Sequence, residues 1–329
     1  MRPGVTHVRA NLFGAPLPDG GTIGVPAPSG PVFNASEVLR CKEWWEERGY
    51  RVKLGEGIWD RDDYVAGSPQ RRAADLHAMF ADPEVDVVQC LWGGVGAAEV
   101  LPHLDFRIVA ANPKAFMGFS DITHLHVAIR QETGLATFHG PGFGSMGIPE
   151  RTDFSFLSAV QAFKGHADGV VPPDPDDPYV RAIAPGTVTA PLVGGNLYTL
   201  QHGFATPWEV QLDGCIFFFE DVNLPPYQLD DLLTHFRAAG KLEGVAGVVV
   251  GEMYECDWRE ARPEAPRTRS LEDVLERHLG SLGVPVLYKL PLGHGKHLAT
   301  IPLGVIATLD AESRTLTIDE PGLVPVPYT

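Results

Sequence analysis

The chain has 329 residues and a formal net charge of −16 at neutral pH. That charge repels a phosphate backbone, so nucleic-acid binding is excluded and the excess of acids is read as solubility. The length is enough for two domains and a substantial core. No run of about 18 apolar residues occurs, so no membrane-spanning helix is expected. The start, M-R-P-G-V-T-H-V-R-A, lacks the apolar stretch of a signal peptide and reads as a cytoplasmic N-terminus.

In chain order, T-I-G-V-P-A (22–27) reads as a strand and 35–48 as a helix that starts at Asn34 or Ser36 and ends at Gly49. Y-R-V-K-L (50–54) is a second strand, followed by a helical stretch over 71–80. V-D-V-V-Q-C-L-W (85–92) is a nearly continuous apolar run, as expected of a strand covered on both faces. A-F-M-G-F (115–119) is another strand, and 121–133 a helix ended by Gly134. This alternation predicts an α/β fold: an N-terminal three-layer domain over 1–165 with a mostly parallel sheet.

Residues 166–187 are rich in Pro and Asp and read as a linker or covering loop, not a folded element. Beyond them, 188–329 reads as a second, smaller α/β domain. Its elements are strands at 187–193, 215–220 and 245–251, helices at 228–239 and 270–280, and a closing hairpin over 303–319. No internal repeat is seen. Cys41, Cys90, Cys215 and Cys256 are widely spaced. They read as free thiols, and with no C-x-x-C pair or other cluster of metal-ligand spacing, neither a metal nor a cofactor is expected.

Three segments carry reactive side chains at turns beside strands. M-G-F-S-D-I-T-H-L-H (117–126) holds Ser120, F-F-F-E-D-V-N (217–223) holds Glu220, and L-G-H-G-K-H (292–297) holds His294. A serine hydroxyl is a poor nucleophile until an imidazole takes its proton and a carboxylate orients that imidazole. Ser120 ends a strand and precedes a helix, a position suited both to a nucleophile and to a helix cap. The backbone N–H of Asp121 is the natural first donor to an oxyanion. W-G-G-V-G (92–96) also follows a strand, and its glycines let Gly93 and Gly94 approach a ligand, with Gly94 as second donor. Asp221 competes with Glu220, and His297 with His294. His124, His126 and His139 read as structural, because H-x-H on a helix points to different faces.

The ordered series resembles the LD-carboxypeptidase family of serine peptidases, the S66 group. The likeness rests on W-G-G-V-G, G-F-S-D-I-T-H-L-H, P-L-V-G-G-N-L-Y-T-L (191–200), F-F-F-E-D-V-N-L-P-P-Y-Q-L-D-D-L-L (217–233) and G-H-G-K-H-L-A-T-I-P-L-G (293–304). It runs from T-I-G-V-P-A-P-S-G-P-V (22–32) almost to the C-terminus. The family includes enzymes that remove a terminal D-alanine from muropeptides, and microcin C immunity-type hydrolases that cleave an aminoacyl-nucleotide amide. The resemblance implies that Glu220 is the triad acid and His294 the base, and that the protein is a homodimer. Many members carry Arg where Trp92 stands here, which removes a cation from the substrate side. The function this resemblance implies is a metal-free serine hydrolase of the L,D-carboxypeptidase type, cleaving the amide next to a terminal D-amino acid of a muropeptide at an interdomain site, with a small peptide or aminoacyl substrate as its partner. An aminoacyl-nucleotide hydrolase and a non-catalytic binder of peptidoglycan fragments are the alternatives. An aromatic platform for a base is not expected, since Tyr179 is the one aromatic residue of the 166–187 loop.

Overall fold

The computed structural model describes residues 8–147, 152–258 and 269–325. Its strands are β1 (Thr22–Val25), β2 (Arg51–Leu54), β3 (Val87–Gln89), β4 (Ala115–Gly118), β5 (Thr137–His139), β6 (Gly169–Val170) and β7 (Arg181–Ala184). They continue as β8 (Thr187–Asn196), β9 (Ile216–Val222), β10 (Gly247–Tyr254), β11 (Val286–Tyr288), β12 (Ile301–Leu303), β13 (Ile306–Asp310) and β14 (Thr315–Ile318). The helices are α1 (Ala35–Glu46), α2 (Pro69–Ala81), α3 (Ala97–Val100), α4 (Phe106–Ala111) and α5 (Thr123–Thr133). They are followed by α6 (Asp153–Phe163), α7 (Leu197–His202), α8 (Pro226–Ala238) and α9 (Leu271–Leu279).

The first sheet has the order β12-β5-β4-β3-β1-β2 and is parallel except for β12. Alternate residues of its strands feed two separate cores. Val25, Val87, Met117 and Phe138 pack with Trp45 and Phe163 on one face. Val88 and Phe116 pack with Phe80, Leu125 and Ile129 on the other. Because side chains alternate across a strand, a sheet covered twice needs apolar residues at every position, which is why β3 and β4 show no polar alternation. Helix ends carry the expected chemistry. Asn34 accepts from the Ser36 N–H at 3.1 Å to start α1, and Gly134 closes α5 with φ +74°.

The second sheet has the order β6-β14-β13-β8-β9-β10-β11-β7. On β9, Phe217 and Phe219 face α8 and α9 through Leu229, Phe236 and Leu275. Ile216 and Phe218 face the opposite side, among Ile301, Leu303 and Ala136. These four β9 side chains are fully buried, each stabilising by about 1.5–3 kcal/mol relative to exposure. The four cysteines are free and buried.

Two features differ from the sequence expectation. The Pro- and Asp-rich stretch 166–187 is not a bare loop, since β6 and β7 lie in it and form the two outer strands of the second sheet. Such short strands, bracketed by prolines, leave no periodic signal. Near the C-terminus, Ile301–Leu303 does not join the β13–β14 hairpin but returns to pair with β5, adding an antiparallel edge to the first sheet. Elsewhere α5 abuts β8, where Thr123 Oγ1 accepts the Asn196 N–H at 3.0 Å and ties the two sheets together.

Candidate active site

Ser120 opens a single 3₁₀ turn, Ser120–Ile122, between β4 and α5. Its φ is +62°, in the left-handed region that costs a non-glycine residue about 1–2 kcal/mol. Its side chain caps neither the turn nor α5, whose N-cap position is Ile122. The helix-cap reading of Ser120 is therefore not what the structure shows. A sharp, strained turn after a strand lifts the hydroxyl clear of the sheet.

The loop after β3 lies directly over this turn. A Cβ added at Gly93 would stand 2.7 Å from Ser120 Cβ and 3.0 Å from its Oγ, so only glycine fits. Asp121 holds the surrounding loops together. Its Oδ2 accepts from Ser29 Oγ at 2.5 Å and from the Ala97 N–H at 2.8 Å. Arg72, buried under the glycine loop, donates to Gly96 O at 2.8 Å and Pro28 O at 3.0 Å. The Asp121 side chain is thus a staple between loops, while its backbone N–H lies next to Gly93.

From the second sheet, Glu220 sits near the end of β9 with 0 % exposure. Its Oε2 receives Nδ1 of His294 at 2.6 Å. Burial alone pushes this carboxyl up, but the His294 imidazole outweighs it, aided by His139 and Asn196, and holds the group below the ordinary glutamate range. The G-H-G spacing follows from this contact. Gly293 has φ +128°, and a Cβ there would lie 2.5 Å from Glu220 Oε2. The His294 ring packs 4.9 Å from that of Phe119, beside Ser120. With Nδ1 committed to a carboxylate, Nε2 is the nitrogen left for proton transfer.

The competing residues lie elsewhere. Asp221 accepts from the Tyr198 N–H at 2.9 Å, the Val222 N–H at 2.8 Å and Asn196 Nδ2 at 3.2 Å. Burial, then the neighbouring Glu220 charge, pushes its carboxyl up to about 6. His297 Nδ1 meets Thr152 Oγ1 at 2.8 Å, and its Nε2 points to Asp176 at 3.1 Å. His126 donates from Nε2 to Gly118 O at 2.9 Å. Burial drives His126 down to about 3 and His139 to about 4, so both are neutral packing residues.

Ser120 and His294 line one cleft of about 620 Å³, together with Gly30, Phe33, Glu37, Tyr64, Trp92, Gly93, Gly94, Val95, Phe119 and Ser145. Trp92 both packs and lines. Its Nε1 donates to Gly30 O at 3.1 Å and Pro31 O at 3.2 Å, and its ring covers Gly144. Aromatic walls are present after all, but Phe33 and Tyr64 come from loops beside β1 and β2, not from 166–187. A group of side chains with the spacing to hold a metal ion also exists, which no sequence spacing revealed. Asp174, Asp176 and His297, from two distant loops, bring one ligand atom each within 4.8 Å of one another, outside the cleft.

Two family models match the chain: the LD-carboxypeptidase N-terminal domain over residues 23–140 and the C-terminal domain over 189–309. The chain belongs to the LD-carboxypeptidase family. It is a serine-type carboxypeptidase-like hydrolase. It is 35% identical over 309 residues to the probable murein peptide carboxypeptidase of Bacillus subtilis (strain 168), covering 92% of this chain and 93% of that one. Among solved structures, the muramoyltetrapeptide carboxypeptidase from Oxalobacter formigenes superimposes with a TM-score of 0.79 at 25% identity, covering 91% and 99% of the two chains. The microcin C7 self immunity protein MccF in complex with aspartyl sulfamoyl adenosine does so with a TM-score of 0.83 at 25% identity, covering 95% and 100%. Among the described residues no helix is long and apolar enough to cross a membrane.

Proposed function

We propose that the protein is an L,D-carboxypeptidase that hydrolyses the amide before a terminal D-amino acid of a muropeptide, with Ser120, His294 and Glu220 as a triad. The observation that carries this reading is the 2.6 Å contact between His294 and the fully buried Glu220, at a cleft that Ser120 also lines. His294 Nε2 takes the Ser120 Oγ proton as Oγ bonds to the carbonyl carbon. The carbonyl oxygen becomes an oxyanion held by the backbone N–H groups of Gly94 and Asp121. His294 returns the proton to the leaving amine, the C–N bond breaks, and an acyl-enzyme remains. Water then gives a proton to His294, attacks the ester and releases the acid and the Ser120 hydroxyl. Glu220 stays ionised and stabilises the imidazolium.

A second reading, hydrolysis of an aminoacyl-nucleotide amide, is supported by the aromatic walls, on which a base can stack. Muropeptides with L,D and D,D termini and an aminoacyl sulfamoyl adenosine, followed by mass spectrometry, test both. Release of the D-residue from L,D termini, absent with Ser120→Ala, is the expected result. Cleavage of the nucleotide substrate alone would replace the first reading by the second. A homodimer belongs to the same proposal, and sedimentation checks it.

A further inference from the structure

We propose that His139 is a positioning residue of the hydrolase: through one internal water its ring N–H serves the Glu220 oxygen that His294 leaves free, and so keeps that carboxylate ionised and turned towards the imidazole. This rests on the triad reading above and deepens it. His139 ends β5 and is fully buried. Its ring stands 4.9 Å from that of Phe218, two residues before Glu220 on β9, where alternate residues share a face. On another side it lies 6.2 Å from the ring of Phe119, which also packs against His294. A phenylalanine would fill that space at no polar cost. An imidazole stands there instead, and among the described residues neither of its nitrogens has a hydrogen-bond partner. The same holds for Glu220 Oε1, a buried carboxylate oxygen that needs a donor. Asn196 faces Glu220 too, but its Nδ2 donates to Asp221 Oδ1 at 3.2 Å and its Oδ1 accepts from the Thr199 N–H at 3.0 Å. Burial keeps His139 neutral, with one N–H to give. The two deficits are complementary, and the groups are close enough for each to act on the other's charge. A water between them gains a hydrogen bond from both. The other ionisable groups around the pair are His294, His126 on α5, and Asp221 and Cys256 beside Glu220.

The test is the pH profile of kcat/KM on an L,D-terminated muropeptide. A donor held on the carboxylate lowers the proton affinity of the Glu220–His294 pair, so losing the donor raises it. In His139→Phe the acidic limb should move up by about one pH unit, and kcat at neutral pH should fall by about tenfold with KM little changed. His139→Asn and His139→Gln each keep an amide N–H, one near the Nδ1 position and the other near Nε2, and one of the two should restore the limb. The shift should persist in an Asp221→Asn background, which removes the neighbouring acid pushed up to about 6. If His139 only packs, His139→Phe keeps the wild-type profile and melts no lower. That result would overturn the proposal. So would a failure of both amides to restore the limb in folded protein, or a shift that vanishes with Asp221→Asn. If His139→Phe does not fold, NMR of the histidine ring N–H groups decides. The His139 N–H should be protected from exchange and move upfield in Glu220→Gln, and a resonance indifferent to that change removes the proposal. Ser120→Ala separates the two readings. Full turnover in that variant removes the triad, whereas an inactive Ser120→Ala with an unmoved His139→Phe profile removes only the role of His139.

Discussion

One four-residue stretch, His294–His297, carries two histidine–carboxylate pairs with opposite surroundings. His294 meets Glu220, whose side chain is 0% exposed, at 2.6 Å. His297 meets Asp176, whose side chain is 59% exposed, at 3.1 Å, and Lys296 shares that carboxylate at 2.5 Å. The first pair belongs to the cleft and the second pins the 171–180 segment to the loop. The ingredients are the same, and burial of the acid decides what each pair can do. A desolvated carboxylate holds an imidazole in one tautomer with little screening, whereas an exposed one shares its charge with water and lysine.

The strongest way to break the comparison is to remove the histidines one at a time. His294→Ala should cost on the order of 10⁴ to 10⁶ in kcat, as expected for a triad member. His297→Ala should cost less than about tenfold, through the loop alone. Steady-state rates on one L,D-terminated muropeptide suffice. Similar losses from both variants would erase the distinction.

The acids should follow the same order. Glu220→Gln keeps the shape but no longer fixes the tautomer, so kcat should fall by about 10⁴. Asp176→Asn should change it by less than about twofold, as for a solvated ion pair. A Glu220→Gln protein that retained most of its kcat would place the orienting acid elsewhere, with Asp221 as the first candidate.

A smaller effect is expected on stability. Glu220 and Asp176 are both held below their ordinary values, Glu220 by His294 against the opposing effect of burial, and Asp176 first by Lys296 and then by His297. A carboxyl depressed on folding binds fewer protons folded than unfolded. Its stabilisation is therefore present above the unfolded value and lost as pH falls through the folded one. The melting-temperature gap between wild type and Glu220→Gln should be present at pH 7, shrink as pH falls below the ordinary glutamate value of 4.5, and change little with salt. The gap for Asp176→Asn should be smaller and should close in high salt. A Glu220 gap that widens on acidification would contradict the assigned direction.

Much of this arrangement was legible in the sequence. The place of Ser120 between an apolar strand and a helix follows from local patterns, whereas the choice of Glu220 over Asp221 rests on the family resemblance. The glycines around His294 mark a tight loop, but the reason for them, a buried Glu220 pressing on Gly293, is a contact across 73 residues that no window contains. Ser29, which ties its loop to Asp121, looked like any turn serine. Phe33 and Tyr64 gave no signal because loop residues have no periodicity to betray which way they face, and Glu37, in the first turn of α1, has the ordinary place of an acid near a helix N-terminus. β6 and β7 were hidden by their shortness and by neighbouring prolines, and the return of β12 to the first sheet reflects tertiary pairing that local propensity does not encode.

The smallest expected effect concerns metal. Asp174, Asp176 and His297 bring three ligand atoms within 4.8 Å, a spacing a divalent ion could bridge. Two features count against a role in turnover. Lys296 already neutralises Asp176 at 2.5 Å, and none of the three residues lines the cleft that holds Ser120 and His294. The proposed serine–imidazole chemistry needs no Lewis acid, since in that proposal backbone N–H groups meet the oxyanion and a base activates the nucleophile. Treatment with EDTA should therefore leave kcat within error of the untreated protein. The melting temperature should also be unchanged, because His297 keeps its contact with Thr152 whether or not an ion is bound. A loss of kcat restored by zinc, and absent in His297→Ala, would show that the exposed pair supports the buried one through a bound ion. The two halves of the loop would then have to be treated as one unit.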